Sequence, residues 1–154
     1  MTATDRRVPR LDSGSRLYAS LEIGPGYGAG PLPTTRLVLR PARDGHYEIV
    51  CHTTYTAQDR KFAPWVRNTL ARRAVRRSAV DAWITRLRQA RIPVLADGEP
   101  VLDAGQWTLC LLLGEWSIAF SCMAAPPDEA SILDDFGRWL DAHAPAQAEA
   151  DRPA

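Results

Sequence analysis

From Gln106 to Met123, apolar and small or polar positions alternate on both sides of Gly114-Glu115, with the period of two that marks strands. Folding this stretch with Gly114 as the first of two turn residues implies type II′ geometry. Leu113 then faces Trp116, Leu111 faces Ile118, Leu109 faces Phe120 and Trp107 faces Cys122, all on one face that is apolar throughout. The other face pairs Leu112 with Ser117, Cys110 with Ala119 and Thr108 with Ser121, most of them small. A one-residue slip would scramble this sorting, so the register is well specified. It sets Cys110 and Cys122 on opposite faces, which excludes a disulfide between them.

Other β-rich runs lie nearer the N-terminus. Leu17 to Ile23 alternates as a strand and leads into a Gly- and Pro-rich loop from Gly24 to Pro33. Arg36 to Arg40 and His46 to Tyr55 follow as strand runs, separated by Pro41-Ala42-Arg43-Asp44-Gly45, whose Asp-Gly favours a hairpin turn. Helical spacing appears later. Ile132, Leu133, Phe136, Trp139 and Leu140 form an apolar stripe in a helix predicted over Asp128 to Ala144, with Asp128 and Glu129 in its first turn and Pro145 as its stop.

The segment between these two groups cannot be one helix. At 100° per residue, Arg72, Arg73, Arg76 and Arg77 would share a direction with Val80, Trp83, Ile84 and Leu87. One face cannot be both an arginine stripe and a buried stripe, so the chain is expected to turn near Ser78. Ser78 with Asp81 suggests a capping box for a helix over about Ala79 to Arg91, ended by Ile92-Pro93. Residues 62–77 fit either a short helix with Pro64 in its first turn or an extended arm. The expected fold is α+β: an antiparallel sheet of about five to six strands with two main helices packed on one face. The single domain is predicted over 17–144, between a flexible N-terminal segment (1–16) and a flexible tail (145–154).

Charge sharpens this picture. Between Arg60 and Arg91 ten basic residues stand against the single acid Asp81, a local charge of +9. From Ile92 onward two basic residues face eleven acids, a local charge of −9. The net charge of +1 therefore hides a polarised chain, which implies either mutual pairing or a charged partner. Eighteen of the nineteen basic residues are Arg, a bias that first suggests a GC-rich bacterial genome and only then bidentate recognition. The 154 residues suffice for a core without disulfide or metal. With three cysteines lacking metal-knuckle spacing, and no signal-peptide or membrane-span pattern, a reduced cytoplasmic protein is expected.

The best candidate site is the anion- or partner-binding set Arg72, Arg73, Arg76 and Arg77, with Arg67, Arg86 and Arg88 nearby. Its competing reading is a solvated face, or one paired with Asp134, Asp135 and Asp141 of the C-terminal helix. Tyr55 and Trp65 stand close enough in sequence to stack bases beside the arginines, although a Trp near a helix start is usually core. No catalytic, metal or cofactor set is predicted. The Gly24 to Pro33 loop lacks the Lys-Ser/Thr ending of a phosphate loop. Cys51 and His52 are adjacent in a strand and point apart, while His46 and His52 share a face at too great a separation for one ion. Asp97, Glu99 and Asp103 lack calcium-loop spacing.

The second half, from Ile92-Pro93-Val94 through Leu102-Asp103-Ala104-Gly105-Gln106-Trp107-Thr108-Leu109, with Gly114, Pro126-Pro127 and Leu140, resembles a pattern found in small bacterial proteins. The resemblance implies no activity and no functional residue. The two charge poles, with no catalytic set in the sequence, lead instead to the expectation of a non-catalytic protein-interaction module, of immunity or accessory type, taking an acidic protein partner and not a membrane. A nucleic-acid-binding module using Arg72 to Arg77 is the alternative. Oligomeric state is left open by the sequence.

Overall fold

A computed structural model describes residues 16–25, 31–91, 106–114, 116–123 and 131–145. Six strands form one antiparallel sheet: β1 (Leu17–Ile23), β2 (Thr34–Pro41), β3 (Tyr47–Thr54), β4 (Thr69–Val75), β5 (Gln106–Leu113) and β6 (Trp116–Met123). Their spatial order is β4-β3-β2-β1-β5-β6, so the N-terminal strand lies near the middle and β4 and β6 are the outer strands. Three helices join them: α1 (Ala57–Phe62), α2 (Arg77–Gln89) and α3 (Ser131–Ala142). The expected α+β architecture is therefore present.

The C-terminal hairpin has the register its side-chain sorting implies, from Leu113 opposite Trp116 to Trp107 opposite Cys122. Gly114 has φ +62°, the sign that primed hairpin turns require of their first turn residue. In the β2–β3 turn, Ala42 N–H donates to the His46 carbonyl at 2.8 Å and Gly45 takes φ +82°. The Asp44 carboxylate accepts from His46 N–H at 3.2 Å, which steadies the loop. His46 thus belongs to the turn, and β3 begins one residue later.

One face of the sheet carries the core. Leu17, Leu21, Leu37, Leu39, Ile49, Leu109, Leu111 and Leu113 are all buried there, beneath Val80, Trp83, Ile84 and Leu87 of α2 and Leu133, Phe136 and Leu140 of α3. Trp83 meets Phe136 edge-on at 5.1 Å and Trp139 at 5.9 Å, so the two helices are fastened to each other by aromatic rings. Tyr47 reaches under this layer, and its hydroxyl accepts from Leu17 N–H at 3.3 Å, satisfying a buried donor at the start of β1.

The stretch before Ala79 departs from expectation. Residues 69–75 are a strand, so the extended alternative holds there, while the short helix lies earlier, at 57–62. Thr56 caps α1 in a capping box with Asp59, and Pro64 lies beyond the helix. The chain does turn where the arginine and buried stripes would collide, but earlier than Ser78. The ladder to β3 runs to Val75 opposite Tyr47; Arg76 is the N-cap and Arg77 the first helical residue. That leaves no room for a Ser78 cap, and α2 has no side-chain cap bond. Asp81 instead lies 3.8 Å from Arg77 one turn earlier. Both main helices also end short of the predicted bounds, α2 at Gln89 and α3 at Ala142. The loop acids Asp97, Glu99 and Asp103, the pattern around Pro126-Pro127 and the start predicted at Asp128 lie outside the described residues.

At Gly137 α3 rests directly on the sheet. A Cβ there would stand 2.8 Å from Trp107 Cζ2 and 3.5 Å from Leu21 Cδ2. Gly→Ala inside a helix ordinarily gains about 1 kcal/mol. Here the buried indole ring, already packed edge-on against Phe120 at 6.2 Å, would have to move. Gly137→Ala is therefore expected to destabilise the protein by about 1–3 kcal/mol, read as a lower urea midpoint with unchanged slope.

Candidate functional site

An edge strand exposes both its faces, and β4 spends its exposure on arginine. Its residues pair with β3 on one side only, Leu70 opposite His52, Ala71 opposite Cys51, Arg72 opposite Val50 and Arg73 opposite Ile49. Adjacent strand residues point to opposite faces, so Arg72 stands on the helix-free face and Arg73 on the helix-covered face beyond the reach of α2. Arg76 and Arg77 follow at the strand's far end, where α2 begins. All four are exposed. They do not form the single stripe that a helix would have made; they line one edge of the sheet from both sides.

Carboxylates of the described residues leave most of that edge uncompensated. Arg77 has Asp81 at 3.8 Å, an exposed i,i+4 pair worth a few tenths of a kcal/mol. Arg72, Arg73 and Arg76 have no carboxylate within ion-pair distance among the described residues. The acidic helix does not cap them. Asp134 is held at 2.8 Å by Arg138 of the same helix, and Asp135 lies 3.5 Å from Arg86. Arg86 also lays its guanidinium over the Trp83 ring at 4.2 Å, so it joins α2 to α3 and serves the fold. Arg88 is an exposed residue of the same helix.

The β3–β4 connection adds what the charge pattern alone did not show. Arg67 folds back so that its Nη1 donates to the carbonyls of Pro64 and Val66, the latter at 3.0 Å. Tyr55 N–H donates to Asn68 Oδ1 at 2.8 Å, closing the connection at its base. Ala63 and Val66 are buried, yet Phe62 is 74% exposed, Trp65 43% and Leu70 53%. Trp65 is thus a surface residue and not part of the core. On the helix-free face the same end of the sheet carries one row across four strands, Glu22, Arg36, His52 and Leu70. The next row holds Val38, Val50 and Arg72. Arg36 is exposed, whereas Arg40 one row further is bound to Glu48 at 2.7 Å.

Arg36, Phe62 and Leu70 escaped the sequence reading because β4 has no apolar alternation to announce it. Only Val75 of its seven residues is buried. The available signal was the N-cap Thr56 with Asp59 three residues on, which fixes a short helix and leaves the following stretch to return as a strand.

Cys51 is buried in the core while His52 faces the other way, and no group of three potential metal ligands converges among the described residues. No helix among the described residues is long and apolar enough to cross a membrane. No family model, curated protein or solved structure matches the chain.

Because Arg72, Arg73 and Arg76 pair with no carboxylate among the described residues, reversing their charge should leave the fold intact. Arg72→Glu, Arg73→Glu and Arg76→Glu are each expected to change unfolding free energy by no more than about 0.5 kcal/mol in urea titrations. Arg86→Ala, which removes both the Asp135 contact and the stacked guanidinium, should cost about 0.5–1 kcal/mol.

Proposed function

We propose that this chain is a non-catalytic interaction module, of the bacterial immunity or accessory type, that takes an acidic protein partner on the β4 edge. The observation that carries this reading is the row of exposed guanidiniums of Arg72, Arg73 and Arg76 along one side of the sheet, with no carboxylate of the described residues within ion-pair distance. A basic edge of this kind steers and orients an acidic surface, and planar guanidiniums grip carboxylates in pairs. The exposed Phe62, Trp65 and Leu70 at the strand's beginning supply the apolar anchors that charge alone lacks. Three cysteines without metal spacing suit a reducing cytoplasm.

A second reading has its own observation. Exposed Trp65 and Phe62 leading into an arginine-rich strand are also the ingredients of a single-strand nucleic-acid platform, in which bases stack on rings and phosphates meet guanidiniums.

One titration separates the two. Fluorescence anisotropy of the full chain against a labelled polyglutamate peptide and a labelled mixed-sequence single-stranded oligonucleotide, each at low and moderate salt, is expected to show peptide binding. The triple variant Arg72→Glu/Arg73→Glu/Arg76→Glu should weaken it by at least about tenfold, or 1.4 kcal/mol. Tighter oligonucleotide binding that falls steeply with salt and is lost in Trp65→Ala would assign the surface to nucleic acid. Binding to neither ligand at low ionic strength would overturn both readings.

A further inference from the structure

The two outer strands are built on opposite plans. β4 carries Arg72 and Arg73 in its middle and Arg76 and Arg77 just after it. β6, from Trp116 to Met123, has no charged residue, no proline and no glycine across eight positions. Its eight consecutive pairs with β5 are unbroken by any bulge. Proteins blunt exposed strand edges with charge, proline, bulges or short length, and β6 uses none of these.

Coverage by the helices differs in the same sense. Two helices about 10 Å across cover about four strands spaced about 4.8 Å apart, so the outer strands overhang. On the helix-covered face the β4 overhang is Arg73, which is exposed, and Ala71. The β6 overhang is Ile118 and Phe120, which touch the core but stay only half-buried.

We infer that β6 is the interface for a second copy of this chain, pairing antiparallel with its own counterpart to make one continuous twelve-stranded sheet. The sequence of the strand itself selects this occupant. Ser117-Ile118-Ala119-Phe120-Ser121 reads the same in residue character from either end. A two-fold axis through Ala119 sets Ser117 opposite Ser121, Ile118 opposite Phe120 and Ala119 opposite itself, with no charge on either strand. Antiparallel partners share a face, so Ile118 and Phe120 of both copies meet on the helix side and extend the core across the axis. Such an interface is isologous and closes at two copies. Pairing of β4 with itself would instead bring arginines together.

Sedimentation equilibrium of the full chain, from about 1 μM to about 500 μM, tests this. The expected result is a species of twice 17.0 kDa. Ala119 is exposed at the centre of the strand, so Ala119→Lys and Ala119→Glu each place two like charges face to face. Each alone is expected to raise the dimer Kd at least about tenfold while circular dichroism and Tm stay those of the unaltered monomer fold. Mixing the two variants should restore the dimer, which a folding defect or a different interface would not do. Ala119→Cys should give a covalent dimer under mild oxidation, because directly opposed antiparallel residues lie about 4.5–5.5 Å apart at Cα. A chain that stays monomeric over the whole range, or a dimer that survives both charge variants, would overturn the inference.

Discussion

Helix coverage governs what each part of this molecule can do. A six-stranded sheet needs one face sealed to fold, and the two long helices among the described residues together span about four strands. The seal is made tight where they do reach. Gly137 lets α3 drop onto Trp107 and Leu21, and the Trp83, Phe136 and Trp139 rings lock the helices to each other. On the helix-covered face, Leu17, Leu21, Leu37, Leu39, Ile49, Leu109, Leu111 and Leu113 of the central strands are accordingly buried. On the helix-covered face, what α2 and α3 leave uncovered lies at the two outer strands.

The two overhangs then divide the chemistry. On the β4 side, guanidiniums can remain hydrated while their stems cover apolar surface, so the edge is stable without a partner; under the proposed function it is the side that takes an acidic one. On the β6 side, half-buried Ile118 and Phe120 give the strand an apolar flank that water does not reward. The overall charge balance follows from the same division. Most of the basic run folds into the β4 edge and α2, and two acids of α3 are engaged, Asp134 by Arg138 within the helix and Asp135 by Arg86 of α2. Among the described residues the two poles meet at Arg86 and Asp135, while Arg72, Arg73 and Arg76 have no carboxylate within ion-pair distance.

How much of this could be read from the sequence depended on whether burial was one-sided. The C-terminal hairpin announces itself because Trp107, Leu109 and Leu111 alternate with Thr108 and Cys110, and the register follows from sorting alone. The α2 stripe of Val80, Trp83, Ile84 and Leu87 is as plain, and so is the conflict with the arginines before it. That conflict correctly demanded a break in the chain. It could not say what preceded the break, because β4 exposes both faces and its composition, Thr-Leu-Ala-Arg-Arg-Ala-Val, carries neither a period of two nor of 3.6. The same ambiguity hid the site. Arginines at 72, 73, 76 and 77 share one face only on a helix; on a strand leading into a helix they spread along an edge.

That redistribution changes the physics of recognition. A single helical stripe would present a flat, dense positive patch, suited to any polyanion. An edge with Arg72 on one face and Arg73 on the other brackets a partner from two sides, so a bound segment must offer acids in both directions. Pairing through β6 would add a second consequence, since the twelve-stranded sheet ends in a basic β4 edge at both extremities, about 50 Å apart by strand spacing. Two identical basic edges held at a fixed separation would engage a partner with two acidic segments far more strongly than either edge alone, provided the partner spans that distance.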